Sequence, residues 1–321
     1  MPVLRPDLTD QDIDPYRRLS ASQVIGWKSC PRLWYYNWEM RLKGPLPPQI
    51  IRGNAAEACI CRILRESPTI ISPESPDILI SPLTDEGIPD LKNKENWIAP
   101  RLTPRNEEEW PSDRSTIMEW ALSRVDIHLD RCWDEAVADW ERSPNRSGSL
   151  EDISIEECRL MVIEGIKMHL DEVEDCINMD GGPLLENWRR GDARPIIPAP
   201  DGFPGEWKIP HPSAKNEGDV TWCEAWEIAR PWFVDPDAKS FSESTCHPEG
   251  WFQGEYDIVY RWNGDIRIID IKASVGAGDR SYGYLEQLRL YAWLWWETHD
   301  REEQVSSMAI WYLGTGTVKE I

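Results

Sequence analysis

The sequence predicts an α/β protein, and two kinds of pattern carry the prediction. Residues 251–272 place β-rich runs on both sides of Asn263-Gly264, the strongest short-range signal for a β-hairpin. The stretches 113–142 and 151–177 are typical of helices, and in the second the apolar residues recur at helical spacing. A sheet flanked by helices accommodates both, and 321 residues suffice for one large domain or two ordinary ones.

The N-terminal elements begin after a polar lead-in. Residues 1–18 are predicted to be disordered, and a helical pattern of apolar residues starts at Ser20. Pro31 stands where it opens a second helix, because its missing N–H is not needed in a first turn. The Pro-rich connector 44–49 then leads to a short helix at about 54–65.

Loops occupy much of the middle of the chain. Residues 67–105, rich in Pro, Asp and Ser, and 191–217, rich in Pro and Gly, are predicted to lack regular structure, as are residues 235–250. A strand is expected at about Ala225–Ile228, ahead of the hairpin.

The composition argues against several classes of protein. No run of about 18 apolar residues predicts a membrane helix, and the acidic N-terminus has no apolar signal-peptide run. The eight cysteines are scattered without a CxxC pair, which argues against a zinc ribbon and a disulfide framework. We expect a cytoplasmic protein with reduced thiols and no membrane partner.

The charge of the chain is unevenly distributed. A net charge of −22 argues against a nucleic-acid partner, since phosphate binding normally leaves a basic surface. Residues 16–65, however, contain nine Lys or Arg and two Asp or Glu, a net charge of +7. This basic segment therefore weakens the argument against a nucleic-acid partner.

The hairpin predicts a pair of opposed carboxylates. A two-residue type I′ turn at Asn263-Gly264 sets a strand register in which Asp257 lies opposite Asp270. Their Cβ atoms are then about 4.5–5.5 Å apart, so the carboxylates repel each other unless a cation lies between them. A divalent cation with oxygen ligands is the natural occupant.

Strand alternation adds a third group to this pair. Ile268, Asp270 and Lys272 lie on one face of the strand, whereas Ile269 and Ile271 lie on the other. Lys272 therefore points toward both aspartates. The alternative is a solvent-facing ion pair beside an unrelated acid, but isoleucines on both faces indicate a buried strand.

The hairpin and the following helix resemble a known family. Gly254-x-x-Asp257 followed by Ile-Ile-Asp-Ile-Lys at 268–272 is similar to the active-site motifs of the PD-(D/E)XK nuclease superfamily. Gln287 and Tyr291, four apart on one helix face, resemble the third motif of its RecB-like exonuclease branch.

Two N-terminal motifs resemble the same branch, which includes CRISPR-associated nucleases. Residues 20–36 are similar to its S-x-S…C-P-x-x-W/F-Y opening, and residues 52–57 to its G-x-x-x-H helix start. The resemblance covers residues 19–66 and 222–318. It implies a restriction-endonuclease-like core, with a mixed central sheet flanked by helices.

The resemblance also implies a division of the chain. Residues 19–66 and 222–321 would form the two parts of the nuclease core. Residues 67–221, between them, would form loops and a helical insertion over the site.

The resemblance implies a metal-dependent active site. Asp257, Asp270 and Lys272 would be catalytic, and Mg²⁺ or Mn²⁺ would be bound by both aspartates, Glu57 and the backbone carbonyl of Ile271. Glu57 stands where the family has a histidine, and its oxygen ligands suit these hard cations. The alternative for Glu57 is a place on a helix surface.

The same resemblance implies that further residues contact the DNA. Gln287 and Tyr291 would line the DNA-facing side of the site, with Arg32 and Arg52 helping to hold the strand. Gln287 by itself is also compatible with an ordinary surface position. Glu227 is not among these DNA contacts. It lies on the strand expected before the hairpin, where the family often has a glutamate, and is a further candidate for the active site itself.

Cys30 matches the first cysteine of an iron–sulfur pattern found in many RecB-like enzymes. Three more cysteines are needed after the Gln-x-x-x-Tyr helix for a [4Fe–4S] cluster, and none follows Cys246. A cluster within this chain is therefore not expected, unless further cysteines lie beyond Ile321. Cys30 is equally compatible with a small buried residue.

The function predicted from the sequence is hydrolysis of DNA phosphodiester bonds by an exonuclease. Its substrate would be single-stranded DNA or DNA with free ends, in repair, recombination or CRISPR-type processing, with a helicase or CRISPR protein as a possible partner. One alternative is a module that binds DNA ends or single strands without cutting them. Another is a protein-interaction scaffold, which fits the acidic composition but leaves the opposed aspartates unexplained.

Overall fold

The structure is a computed structural model, and it describes residues 18–42, 44–70, 103–191, 211, 214, 217–231, 233–234, 246–274 and 281–321. The predicted disorder of residues 1–17 lies outside these ranges, as do most of the predicted loops at 67–105, 191–217 and 235–250.

The N-terminal elements begin near the residues that the sequence indicates. They are β1 (Leu19–Ser20), α1 (Ala21–Ser29), α2 (Pro31–Trp34), a π-helical turn (Tyr35–Glu39) and α3 (Gln49–Arg65). The Ser20 side chain caps α1 by accepting from the Gln23 N–H, and Pro31 opens α2. The start of α3 was predicted too late, since Pro48 has a φ of −66° that suits a helix entry.

Long helices form the middle of the chain, and the predictions for 113–142 and 151–177 are confirmed. The helices are α4 (Arg114–Arg142), α5 (Ile155–Asn178), α6 (Leu185–Arg189) and α7 (Trp222–Ile228), with single 3₁₀ turns at Glu107–Glu109, Leu150–Asp152 and Gly182–Leu184.

The strand predicted at 225–228 is wrong, because these residues belong to α7. A capping box starts that helix. The Thr221 side chain accepts from the Glu224 N–H at 3.2 Å, and the Glu224 carboxylate accepts from the Thr221 N–H at 3.0 Å. This reciprocal cap outweighs the β-forming residues that suggested a strand.

A mixed sheet lies at the centre of the C-terminal part. Its strands are β2 (Phe233–Val234), β4 (Ile258–Tyr260), β5 (Ile266–Lys272), β6 (Val305–Tyr312) and β7 (Thr317–Glu320), in the order β2-β4-β5-β6-β7. Among the strands that the structure describes in this sheet, only β5 and β6 pair in parallel, and α8 (Ser281–Thr298) connects them. A short strand β3 (Phe252–Gln253) pairs in parallel with β1.

Helices cover both faces of the sheet. Ile269 and Ile271 pack in a cluster with buried residues of α3, α4, α5 and α7. Ile266 and Ile268 pack in a second cluster with α8 and Ala21 of α1. The burial of both faces, predicted from the isoleucines of β5, is confirmed.

The helical layer shares one core with the sheet. The buried residues of α4 and α5 belong to the same cluster as residues of β4, β5 and β6.

No helix within the described ranges has both the length and the apolar character that crossing a membrane requires.

Candidate active site

The hairpin β4–β5 has the predicted register. Ile258 lies opposite Ile269 and Val259 opposite Ile268. Continued by one residue, this register sets Asp257, just before β4, opposite Asp270 of β5. The two carboxylates therefore lie on the sheet face that α8 covers.

The turn that joins the strands differs from the predicted type I′ turn. Gly264 has a φ of 86°, but Asn263 does not share a positive φ, and the Gly264 N–H donates to the Arg261 carbonyl at 3.3 Å. Residues 262–265 thus form a longer loop around a tight turn. The register is unchanged, because this loop and a two-residue loop at 263–264 have the same centre.

Each aspartate is held by a different neighbour. The Asp257 Oδ2 accepts from the Ile271 N–H at 2.6 Å, and the Asp270 Oδ1 accepts from the Gln287 amide at 3.3 Å. Burial raises the pKa of Asp257 well above its usual value, and Glu57 and Asp270 raise it further. Burial also raises the pKa of Asp270, which is 1% exposed.

Lys272 supplies the positive charge beside these carboxylates. Its Nζ lies 2.6 Å from the Asp270 Oδ2 and 5.0 Å from the centre of the Tyr284 ring. Burial by itself would lower the pKa of Lys272, but Asp270, Asp257 and Glu57 outweigh it and raise the pKa. Lys272 is therefore a stable ammonium group at neutral pH.

Helix α8 contributes Gln287 and Tyr291 to the same place. The Gln287 amide donates both to Asp270 and to the Tyr291 hydroxyl, the latter at 2.9 Å. Tyr284 was missed by the sequence analysis. The sequence signal that could have found Tyr284 is its position three residues before Gln287, which places it on the same face of the helix.

The packing around Gly254 explains why the Gly-x-x-Asp motif begins with a glycine. A Cβ on Gly254 would lie 2.8 Å from Leu294 Cδ2 and 3.2 Å from ring atoms of Tyr291. A Cβ at this position would therefore require the end of the Leu294 side chain and the Tyr291 ring to shift, which glycine avoids.

Helix α3 reaches the same end of β5 from the other side of the sheet. Gly53 faces Ala273, with 3.5 Å between a Cβ on the glycine and the Ala273 Cβ. Glu57, one turn further along α3, is close enough to Asp257 and Lys272 to shift their pKa values. The structure therefore brings Glu57 near Asp257 and Lys272.

The other predicted site residues lie in different surroundings. Arg52 is buried, and its guanidinium donates to Glu157 of α5 at 2.5 Å. Arg32 is exposed, with its guanidinium 5.9 Å from the centre of the Tyr36 ring, and Cys30 is an exposed free thiol. Glu227 lies in α7, where it pairs with Arg230.

The donor chemistry of the site fits a hard divalent cation. Glu57, Asp257 and Asp270 offer carboxylate oxygens, and their mutual repulsion raises the pKa of Asp257. In the part of the chain that the structure describes, no three His, Cys, Asp or Glu side chains are already arranged to hold a metal ion. Lys272 and the Ile271 N–H hold the aspartates instead.

Comparison with known families agrees with this geometry. Residues 213–321 match the PD-(D/E)XK nuclease superfamily. The PD-(D/E)XK match includes Asp257, Asp270, Lys272 and α8, and the mixed sheet flanked by helices is consistent with that fold. No curated protein and no solved structure matches the chain.

Proposed function

We propose that this protein is a metal-dependent deoxyribonuclease that hydrolyses DNA phosphodiester bonds, acting as an exonuclease in DNA repair, recombination or CRISPR-type processing. One observation carries the proposal. The carboxylates of Asp257 and Asp270 and the ammonium group of Lys272 lie together on one face of the sheet. There Gln287 of α8 donates a hydrogen bond to Asp270. The superfamily match over the same residues supports nuclease chemistry.

The carboxylates of Glu57, Asp257 and Asp270 and the carbonyl oxygen of Ile271 would hold Mg²⁺ or Mn²⁺. Such a cation supplies polarisation of the scissile phosphate and a lower pKa for a bound water. Burial of Asp270 beside Lys272 keeps solvent from screening these charges.

Lys272 acts on the phosphate or on the attacking water. Its ammonium group is fixed between Asp270 and the face of Tyr284, so it needs little reorganisation to stabilise negative charge that develops on the phosphate. Gln287 positions Asp270, and Tyr291 accepts a hydrogen bond from Gln287. Both side chains would face the DNA strand.

The test is cleavage of end-labelled single- and double-stranded DNA with Mg²⁺, Mn²⁺ or EDTA. We expect metal-dependent cleavage by the wild type and its loss in Asp270→Asn and Lys272→Ala, with the fold checked by thermal unfolding. Asp265→Asn is the matched control, since Asp265 lies in the exposed loop of the same hairpin. Undiminished metal-dependent cleavage in either site variant would refute the assignment, and tight DNA binding without cleavage by the wild type would favour a non-catalytic binding module.

A further inference from the structure

A groove extends from the candidate active site to the N-terminal helices. Its volume is about 1100 Å³, slightly more than the roughly 300–1,000 Å³ of pockets that enclose small ligands. Gln287 and Tyr291 line it together with Gln253 and Gly254. The N-terminal part of the chain contributes further lining residues, among them Arg18, Gln23, Trp34, Asn37, Trp38 and Arg41. The groove thus shares with the candidate active site the Gln287 side chain, which donates to Asp270.

Two tryptophans give the groove aromatic walls. Trp34 ends α2 and Trp38 lies in the π-helical turn, whose wider winding brings residues four apart toward one face. Both indoles lie near Gly26 of α1, where a Cβ would be 3.6 Å from Trp34 Cδ1 and 4.0 Å from Trp38 Nε1. Neither tryptophan belongs to the two hydrophobic clusters of the core.

The lining includes a donor, the Trp34 Nε1, and an acceptor, the Gln253 Oε1, that are shielded from solvent and have no hydrogen-bond partner among the described residues. Buried polar groups without partners are uncommon in proteins. Both atoms would gain a partner if the Trp34 and Gln253 side chains turned toward a bound base.

The charges of the lining do not by themselves explain a phosphate ligand. Arg18 and Arg41 are balanced by Glu39 and Glu255. Recognition by phosphate contacts alone would require an excess of basic residues. The aromatic walls instead favour contact with bases, which a duplex hides in its interior.

We propose that this groove binds an unpaired DNA strand, with its bases against Trp34 and Trp38 and its backbone leading past Gln287 and Tyr291 to Asp270 and Lys272. The inference rests on the proposed function for its substrate and adds the side chains that select an unpaired strand. Stacking of a base on an aromatic side chain contributes about 1–3 kcal/mol, and it tolerates any base sequence.

The first test measures binding in EDTA, where cleavage does not interfere. Fluorescence anisotropy compares a labelled single-stranded oligothymidylate with a duplex of the same length. For Trp38→Ala we expect single-strand affinity to fall by roughly 5- to 150-fold, while Trp38→Phe keeps most of it. Trp251→Ala, which removes an exposed tryptophan outside the groove lining, should bind as the wild type does.

A second test uses the wild-type protein and does not depend on the folding of a variant. Single-stranded DNA that contains 5-bromouracil is cross-linked by light, and the attached peptides are identified by mass spectrometry. We expect cross-links to peptides that contain Trp34, Trp38 or Tyr291. Cross-links confined to other parts of the chain, or wild-type single-strand affinity in a folded Trp38→Ala variant, would overturn the inference.

The outcomes separate this inference from the proposed nuclease activity. Selective single-strand binding without metal-dependent cleavage would support DNA binding in the groove and refute the proposed nuclease activity. Metal-dependent cleavage by the wild type, together with an equal loss of single-strand and duplex affinity in Trp38→Ala, would support the nuclease activity. It would refute the proposal that the groove selects an unpaired strand.

Discussion

At the scale of single residues, the buried pair of Asp270 and Lys272 combines a structural and a chemical role. Asp270 is 1% exposed, and its ion pair with Lys272 measures 2.6 Å. Removal of one partner from a buried ion pair leaves an uncompensated charge, which costs about 3–5 kcal/mol. Lys272 therefore stabilises the ionised form of Asp270 in the fold, in addition to its proposed action on the phosphate.

Gln287 provides a test at this scale. Its amide donates to Asp270 and to Tyr291, so Gln287→Ala removes the group that orients both. We expect the cleavage rate to fall roughly 10- to 100-fold, as is usual when a partner of a metal-binding carboxylate is lost. The rate is measured in single turnover with saturating Mg²⁺.

Arg289→Ala is the control for this substitution. Arg289 lies on the same helix but is exposed and pairs only with Glu286 among the contacts described. A Gln287→Ala variant as active as Arg289→Ala would show that the amide does not position Asp270.

At the scale of elements, the site depends on how closely α8 approaches the chain before β4. Gly254 sits where a Cβ would come within 2.8 Å of Leu294 and 3.2 Å of Tyr291. The same contact therefore fixes both the helix and the tyrosine that accepts from Gln287.

The substitution Gly254→Ala tests this contact. The added methyl group forces the Leu294 side chain and the Tyr291 ring to shift, and overpacking of this kind costs about 1–3 kcal/mol. We expect a lower free energy of unfolding in urea and slower cleavage, because a displaced Tyr291 no longer holds Gln287 in place.

Gly283→Ala is the matched control on α8. No atom of the described residues lies within 4 Å of a Cβ at Gly283, so alanine should leave the activity intact and favour the helix by about 0.5–1 kcal/mol. Equal effects of the two substitutions would contradict the role of Gly254.

At the scale of the whole molecule, the helical layer and the sheet are joined by a buried polar contact. His169 of α5 is fully buried, and its Nδ1 lies 2.8 Å from the Tyr260 hydroxyl of β4, while its ring meets Trp226 of α7 edge to face. Burial, assisted by the charge of Arg230, lowers the pKa of His169 to about 3.

This lowered pKa predicts a pH dependence of stability. Below the ordinary histidine pKa of about 6.5, the unfolded chain binds a proton at His169 that the folded chain does not, so stability falls as the pH falls. Between pH 7 and pH 5 we expect this residue to cost about 2 kcal/mol.

Urea unfolding of the wild type and of His169→Gln at both pH values measures this effect. The glutamine variant should be less stable at pH 7, where Tyr260 has a poorer partner, but should lose less free energy on acidification. An identical loss in both proteins would show that His169 does not cause it.

Much of the local geometry follows from the sequence alone. The register of Asp257 against Asp270 depends only on the centre of the turn, so it was predictable even though the turn type was not. The alternation that groups Asp270 with Lys272 and buries Ile269 on the other face follows from the two-residue period of a strand.

Only the tertiary structure decides which distant side chains join the hairpin. The sequence predicts Glu57 in a helix at 54–65 and leaves Arg52 before it. In the structure both lie in α3, and packing turns Glu57 toward Asp257 and Arg52 toward Glu157. It likewise places Trp34 and Trp38 beside Gln287 and Tyr291 in one groove, across more than two hundred residues of chain. The physical reason is that strand and helix periods fix directions within an element, whereas contacts between elements depend on how both faces of the sheet are buried.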